Sequence, residues 1–302
     1  MQLRGFAVVY VFMRLRWVLA GLGCIASSAV GQIQVELKFP RLQYIAYEPV
    51  VANLTITNLA GRDVDLRDSG AQSWFGFEVS GSEGQPIPQI SHEPTAPLSV
   101  AAGQTVTRKI DLTPLYGVHD FGTYRVRAHI YFGGLNQFFY SPTKVFEVTD
   151  ARPIWQKTVG VPQNGNASGN VRTYSLMTNR FADHTSLYVR VEDKNRGMVY
   201  ATYSLGRIIA FDQPQTEFDH SNQLHVLYCA APRMWSYARI GLNGELVSRI
   251  SFAETKRRPR LVHSNDGVIK VAGGMMDPTV TQAVRDAAPE LSARPAGAPK
   301  ND

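Results

Sequence analysis

The segment Ile33-Gln34-Val35-Glu36-Leu37-Lys38-Phe39 alternates apolar and polar residues without a break. Successive side chains of a β-strand point to opposite faces, so this period of two predicts a strand with one buried face. Similar runs recur up to residue 150, separated by turn-forming residues. The predicted strands are 33–39, 50–57, 64–66, 74–79, 104–112, 122–132 and 144–149. Short strands at this spacing, with no helical periodicity between them, predict an all-β sandwich.

The later part of this region carries a resemblance to a known type of domain. Gln104–Val106, Ile110–Leu112 and the turn Asp120–Val126 resemble the late strands of bacterial immunoglobulin-like domains. In those domains a tyrosine after a D-x-G-x-Y turn forms a tyrosine corner, and Tyr124 occupies that position. The resemblance implies an immunoglobulin-like β-sandwich over residues 32–150. Such domains serve as spacers, adhesive modules or accessory domains, and the fold does not choose among these roles.

A hairpin of aromatic residues lies near the end of the same region. Its arms are Tyr131–Phe132 and Phe138–Tyr140, and its tip is Gly133–Asn136. Adjacent rings on a strand must face opposite sides of the sheet, so some rings enter the core and others leave it. Two interpretations remain open: a binding edge, or packing against a second domain.

The region 151–276 is also rich in strand patterns and contains a faint repeat. Three pairs of segments correspond at similar offsets: Tyr200-Ala201 with Tyr237-Ala238, Gly206–Phe211 with Gly244–Ile250, and His220–Asn222 with His263–Asn265. Each unit is similar to a β-propeller blade, and we expect a propeller-like or meandering antiparallel β domain. Closed propellers usually need four to eight blades, and this region is too short for them. Three arrangements stay open: an open stack covered by the first domain, blades closed by oligomerisation, or a meandering sandwich.

The N-terminus predicts export. Met13–Arg16 supplies a basic start, Trp17–Val30 is an apolar run, and Ala29–Gly31 offers a small-x-small cleavage site. We therefore assign residues 1–31 to a signal peptide, with Met13 as the expected true start. The alternatives are an uncleaved anchor and lipoprotein processing at Cys24.

Export places the mature protein in the periplasm or outside the cell, with no stable membrane span after signal removal. The polar stretch 162–170 is expected to be a mobile loop, and the Ala- and Pro-rich tail 277–302 is expected to be disordered.

The charge and the cysteine content of the chain bear on its binding partners and its source. The chain has 31 basic and 25 acidic side chains, and Arg4, Arg14 and Arg16 belong to the predicted signal. The remaining basic excess is small and does not predict nucleic-acid binding. The mature chain keeps only Cys229, which we expect to be a buried apolar residue. A secreted chain without an intrachain disulfide favours a bacterial source.

No motif of a catalytic or metal site occurs in the chain, so we predict no catalytic residue, no metal ligand and no cofactor. The predicted ligand-binding residues are Arg233, Trp235 and Tyr237. On a strand, a guanidinium and two rings at this spacing share one face and form a platform for sugars or peptides. The alternative is that the two rings pack between sheets.

Two further features carry charge. Glu217, Asp219 and Asp212 could supply the pair of carboxylates of a glycoside hydrolase, and alternation places Glu217 and Asp219 on one face. The loop Lys256–Arg260 is either a solvated loop or a contact for an anionic partner.

These observations predict an exported, non-catalytic binding or structural module of the bacterial cell envelope that contacts protein or glycan. The alternative function is a carbohydrate-active hydrolase with carboxylates in the second domain. Assembly with a second copy through exposed blade edges is a further alternative.

Overall fold

The computed structural model describes residues 32–70, 72–91, 96–161, 171–209, 211–264 and 267–277. The predictions for the signal peptide, for the loop 162–170 and for the tail after residue 277 fall outside these ranges. The described chain is almost entirely β-structure. No described helix is long and apolar enough to cross a membrane.

The N-terminal strands form two main sheets around one core. The strands are β1 (Ile33–Lys38), β2 (Gln43–Ile45), β3 (Val51–Asn58), β4 (Val64–Leu66), β5 (Phe75–Ser80), β6 (Leu98–Val100), β7 (Thr105–Asp111), β8 (Gly122–Phe132), β9 (Gln137–Tyr140) and β10 (Lys144–Thr149). One sheet has the order β1-β3-β7, and the other has the order β2-β10-β8-β5 with β9 also paired to β8. Inward side chains of both sheets, such as Leu54 and Val126, belong to a single apolar cluster. This cluster explains the alternation of the sequence, because each strand buries one face in it.

The expectation of no helical segment in this region is wrong at one place. A single turn, α1, spans Thr113–Tyr116. Pro114 fits the start of a helix because its missing N–H is unpaired there in any case, and Gly117 ends the turn in the left-handed conformation with φ 58°. A helix this short has no apolar periodicity that a sequence pattern could reveal.

The C-terminal strands form consecutive antiparallel meanders. They are β11 (Arg152–Gly160), β12 (Val171–Arg180), β13 (Thr185–Asp193), β14 (Met198–Arg207), β15 (Gln215–Phe218), β16 (Leu224–Ala231), β17 (Met234–Ile240), β18 (Leu246–Ala253), β19 (Arg260–His263), β20 (Ile269–Ala272) and β21 (Met275–Asp277). The first sheet has the order β11-β12-β13-β14, and the second has the order β15-β16-β17-β18-β21. Strands β19 and β20 form a separate hairpin.

These layers stack face to face because each sheet is apolar on both sides. Leu176 and Val189 of the first meander share a cluster with Val226 and Ala238 of the second. The opposite face of the second meander packs against the β19–β20 hairpin through Leu227, Trp235, Leu261 and other apolar residues. Alternate residues of one strand thus enter different clusters, which accounts for the nearly continuous apolar runs in these strands.

The first meander also packs against the N-terminal sheets. Ile45 and Ala151 form a small cluster with Met177 and Tyr188. Arg190 donates a hydrogen bond to the carbonyl of Ala46 at 2.7 Å, close to this cluster. The two regions therefore share a packed junction, while the predicted boundaries at residues 150 and 276 stay a prediction.

Candidate functional site

The three residues predicted to bind a ligand lie at one end of the second meander. Arg233 is exposed and occupies the turn between β16 and β17 with φ 62°. Trp235 and Tyr237 share one face of β17, as their spacing predicts, but they are only 2% and 7% exposed. Their rings belong to the cluster under the β19–β20 hairpin. In this structure the two rings offer almost no surface to a ligand, and ligand binding by the three residues stays a prediction.

Polar groups hold the Trp235 ring in place. Its indole Nε1 donates to Glu254 Oε2 at 3.0 Å, and the guanidinium of Arg258 lies 5.3 Å from the ring centre. Arg258 also approaches Asp212 at 3.4 Å. Tryptophan N–H groups normally need such a partner when buried, so these contacts fit a structural role for Trp235. Cys229 is buried in the same cluster, as expected from its surroundings in the sequence.

Tyr237 ends a buried chain of hydrogen bonds. Asp219 Oδ2 lies 3.2 Å from His225 Nε2, and His225 Nδ1 lies 2.8 Å from the Tyr237 hydroxyl. An ionised carboxylate can only accept, so Nε2 carries the proton and Nδ1 accepts from Tyr237. Both ring nitrogens of the neutral imidazole are therefore satisfied.

The hydrogen bonds of Asp219, His225 and Tyr237 predict that acid destabilises the fold. Burial lowers the pKa of His225, although Asp219 opposes the shift. The folded state then favours neutral imidazole, so stability present above the unfolded pKa of about 6.5 declines as the pH falls below it. We expect the urea concentration at the unfolding midpoint to decrease when the pH is lowered from about 7.5 to about 5.5. The decrease should be smaller in the variant His225→Gln. Because burial also lowers the pKa of His129, part of the decline should remain. An equal decline in the variant and the native chain would contradict this assignment.

Each carboxylate considered for hydrolysis contacts a basic side chain: Asp212 contacts Arg258, Asp219 contacts His225 and Glu217 contacts His263. Strand β15 ends at Phe218, so the expected alternation does not extend to Asp219, whose Oδ1 instead accepts the backbone N–H groups of Ser221 and Gln223 at 2.9 Å. Glu217 is exposed and lies 3.5 Å from His263. Neither Glu217 nor Asp219 lines the cavity beside Trp74 or the cavity beside Arg41 and Tyr188. The hydrolase hypothesis therefore gains no support from the described residues.

A different surface gathers aromatic side chains on the outer side of the five-stranded N-terminal sheet. We call this surface the aromatic face; its rings are His129, Tyr131, Phe138 and Tyr140. Tyr131 lies directly opposite Phe138, and His129 lies directly opposite Tyr140, on the paired strands β8 and β9. The ring centres of Tyr131 and Phe138 are 5.0 Å apart, and those of Phe138 and Tyr140 are 6.0 Å apart. The four rings thus form a compact array on two neighbouring strands.

The aromatic hairpin divides its side chains as the alternation predicts. Phe132 and Phe139 enter the core, whereas Tyr131 and Phe138 are half-buried on the outer side. Tyr140 is the most open ring, with 44% of its surface exposed. Half-exposed rings that contact each other form a surface that is apolar yet accessible to a ligand.

Gly76 leaves room for the His129 ring to lie against the backbone of the sheet. It pairs with His129 across β5 and β8, and a Cβ atom at position 76 would lie 2.6 Å from His129 Nε2. Any side chain there would displace the imidazole ring from the sheet. Glycine inside a strand weakens the strand, and it often marks a place where another group approaches the backbone closely.

Charged groups border the rings. The guanidinium of Arg127 lies 4.2 Å from the centre of the Tyr140 ring and donates to Glu78 Oε2 at 2.7 Å. The Tyr131 hydroxyl donates to Asn136 Oδ1 at 2.7 Å. These contacts fix hydrogen-bonding groups at the edges of an apolar array, which is the composition typical of specific binding sites.

The sequence pattern singled out the hairpin but missed Arg127, His129 and Glu78. The signal that would have found two of them is the same period of two. Arg127, His129 and Tyr131 are spaced by two along β8 and share one face. Glu78 required the pairing of β5 with β8, which places it opposite Arg127.

Two cavities lie among the described residues. One, of about 550 Å³, opens between strands β5 and β7 and is lined by Trp74, Phe75, Arg108 and neighbouring residues. The other, of about 490 Å³, lies at the junction of the two regions, beside Arg41, Tyr188 and Arg207. Within the described ranges, no group of three or more His, Cys, Asp or Glu side chains is arranged to hold a metal ion.

Comparisons with known proteins add little. No family model and no curated protein matches the chain. Among solved structures, the sporulation control protein Spo0M from Bacillus subtilis is similar over 58% of this chain and 91% of its own, with 10% sequence identity and a TM-score of 0.29. Similarity at this level defines neither the fold nor the activity.

Proposed function

We propose that the protein is an exported, non-catalytic binding module of the bacterial cell envelope, and that its aromatic face contacts glycan. One observation carries the proposal: four rings form a half-exposed array on the outer side of a sheet. Large apolar side chains on a soluble surface normally mark a site of interaction when they are contiguous. Export and envelope location rest on the predicted signal at residues 1–31.

Glycan fits the aromatic face better than a protein partner does. A pyranose ring has an apolar face of C–H groups, which stacks on an aromatic ring, and a rim of hydroxyls, which need donors and acceptors. Tyr140 offers the ring, and the adjacent Arg127 and Glu78 offer a fixed donor and a fixed acceptor. A protein-binding hot spot usually has a more apolar and more fully buried centre.

The finer assignment of the fold belongs to the same proposal. An immunoglobulin-like sandwich at residues 32–150 is supported by the shared core of the two N-terminal sheets. It is also supported by Tyr124, whose hydroxyl donates to the carbonyl of Asp120 at 2.8 Å, as in a tyrosine corner. A propeller-like stack at residues 151–276 is supported by the sequential four-strand meanders that pack face to face. The contacts around Ile45 and Tyr188 favour an open stack that the first domain covers on one side.

The test is binding of purified protein to two glycans: peptidoglycan sacculi, and a soluble β-1,4-linked N-acetylglucosamine hexamer. We expect both to bind. Replacing Phe138 and Tyr140 together by alanine should weaken the affinity for the hexamer about tenfold or more, because each stacking ring contributes about 1 kcal/mol. Calorimetry measures the hexamer, and co-sedimentation measures the sacculi.

The matched control is Phe121→Ala. Phe121 is 66% exposed but lies in the turn before β8, away from the aromatic face. This variant should bind both glycans as the native chain does. Absence of binding to both glycans, or equal loss in the control and the double variant, would overturn the proposal.

A further inference from the structure

A second surface, at the far end of the second meander, combines unpaired cations with exposed methionines. We call it the basic end, and its charged members are Lys256, Arg257, Arg260 and Lys270. All four side chains are exposed, and none has an acidic partner or a side-chain hydrogen bond in the part of the chain that the structure describes. Among the described residues, therefore, no carboxylate neutralises their charge.

Arg258, in the middle of the same loop, behaves differently. It approaches Asp212 at 3.4 Å and Glu254 at 3.8 Å, and it covers the Trp235 ring. This one arginine anchors the loop, and both nearby carboxylates are occupied by it. The flanking Lys256 and Arg257 are exposed, and neither forms an ion pair with another described residue.

The β19–β20 hairpin extends the cationic surface. Leu261 and Val271 point into the core, so Arg260 and Lys270, one position away on each strand, point outward. Arg260 lies opposite Ala272, and Lys270 lies opposite Val262. Directly opposite residues share a face and residues two apart on a strand share a face, so Arg260 and Lys270 are diagonal neighbours on one outer face.

Two exposed methionines adjoin the loop. Met275 and Met276 of β21 are 64% and 53% exposed, and Met275 pairs with Ala253, the last residue before the loop begins. The N–H of Gly274 donates to the carbonyl of Arg257 at 3.1 Å, which ties the start of β21 to the loop. Met275 and Met276 follow each other on this edge strand, so their side chains lie on its two opposite faces. The backbone at the start of the strand is joined to the loop that carries Lys256 and Arg257.

The Gly273-Gly274 turn makes this approach possible. Both residues have positive φ, and a Cβ at Gly273 would lie 2.8 Å from the carbonyl oxygen of Arg258. A Cβ at Gly274 would lie 2.7 Å from Pro259. Only glycine fits this turn, so the close approach of the start of β21 to the basic loop is built into the backbone.

We propose that the basic end docks onto a membrane surface containing anionic phospholipid. Lys and Arg side chains attract anionic headgroups, and adjacent flexible apolar side chains enter the boundary between headgroups and acyl chains. A soluble polyanion would engage the cations alone and would leave the exposed methionines without a role. The combination of unpaired cations with Met275 and Met276 therefore favours a lipid surface over a soluble acidic polymer or a nucleic acid. The inference does not depend on glycan binding, because the aromatic face lies on different strands.

The test is co-sedimentation of the purified protein with vesicles of phosphatidylcholine containing about 30 mol % phosphatidylglycerol. We expect binding to these vesicles, none to pure phosphatidylcholine, and release as salt rises from about 0.1 M to about 0.5 M. Lys256→Gln with Arg257→Gln should weaken binding about twenty-five-fold, since each cation near an anionic surface contributes about a factor of five. The matched control is Lys109→Gln with Lys144→Gln, two exposed lysines of the N-terminal sheets, and it should bind as the native chain does.

Met275→Ser with Met276→Ser separates the two classes of partner. This variant keeps every cation, so it should lose about tenfold in vesicle binding while its retention on a heparin column stays unchanged. Failure of the native chain to bind the anionic vesicles would overturn the proposal. Native-like vesicle binding by the methionine variant would also overturn it, and would identify a soluble polyanion as the better partner. Circular dichroism of each variant confirms that the fold is retained.

Discussion

Gly244→Ala should lower the free energy of unfolding by about 3 kcal/mol, because two separate costs add at this position. Gly244 has φ 83°, a conformation in which alanine is strained. An added Cβ would also lie 2.4 Å from the Cβ of Ala201 and 3.3 Å from that of Val191. The turn at Gly244 belongs to the second meander, whereas Ala201 and Val191 belong to the first. The added methyl group therefore forces the two stacked meanders apart. Urea unfolding measures the resulting decrease in the free energy of unfolding.

The chain contains a close control for this prediction. Gly84 has φ 81° and donates its N–H to Gly81 at 3.0 Å, as Gly244 does to Gly241. No atom lies within 4 Å of a Cβ added at Gly84. Gly84→Ala should therefore show the strain alone, about 1 kcal/mol. Equal losses in the two variants would mean that the meanders are not packed tightly at this turn.

Glu48→Ala should also lower the free energy of unfolding by about 3 kcal/mol, because it leaves a constrained guanidinium without its counter-ion. The Glu48 side chain is only 5% exposed, and its Oε1 lies 2.7 Å from Arg41. Its other oxygen accepts the backbone N–H of Ile45 at 3.1 Å. Arg41 also donates to the hydroxyl of Tyr188 across the junction of the two regions. The loss should thus loosen the junction as well as the N-terminal sheets.

Two comparisons test that explanation. Glu36→Ala removes an exposed carboxylate that pairs with Lys38 at 2.9 Å, and it should cost less than about 0.5 kcal/mol. The pair Arg41→Met with Glu48→Leu removes both charges and should recover more than half of the lost stability. If the double variant is no more stable than Glu48→Ala, the penalty does not come from an unpaired charge.

Strand positions could be predicted because the period of two is a local property. The predicted strand 33–39 corresponds to β1, and the predicted strand 122–132 corresponds to β8. Strands β2 and β6 were missed, since each has only three residues and too few positions to show alternation. Strand β4 is equally short and was predicted because turn residues 58–61 precede it. Helix α1 was missed for the same reason.

The candidate sites show where local patterns stop being sufficient. Alternation predicted that Trp235 and Tyr237 share a face, and they do. Alternation could not reveal that the β19–β20 hairpin covers that face, because the hairpin is distant in sequence from β17. The same alternation separated Phe132 from Tyr131, but only the pairing of β5 with β8 shows that Glu78 and Gly76 border the outer rings.

The sequence by itself determined the all-β class, most of the strands and the faces on which their side chains lie, since each depends on residues a few positions apart. In the second meander, tertiary structure alone decided which faces are buried. The two faces of a strand in the second meander have similar apolar composition, and burial depends on the layer that stacks on each. Likewise, Met275 lies opposite Ala253, next to the loop that carries Lys256 and Arg257, only because β21 joins β18. No local periodicity connects these two segments.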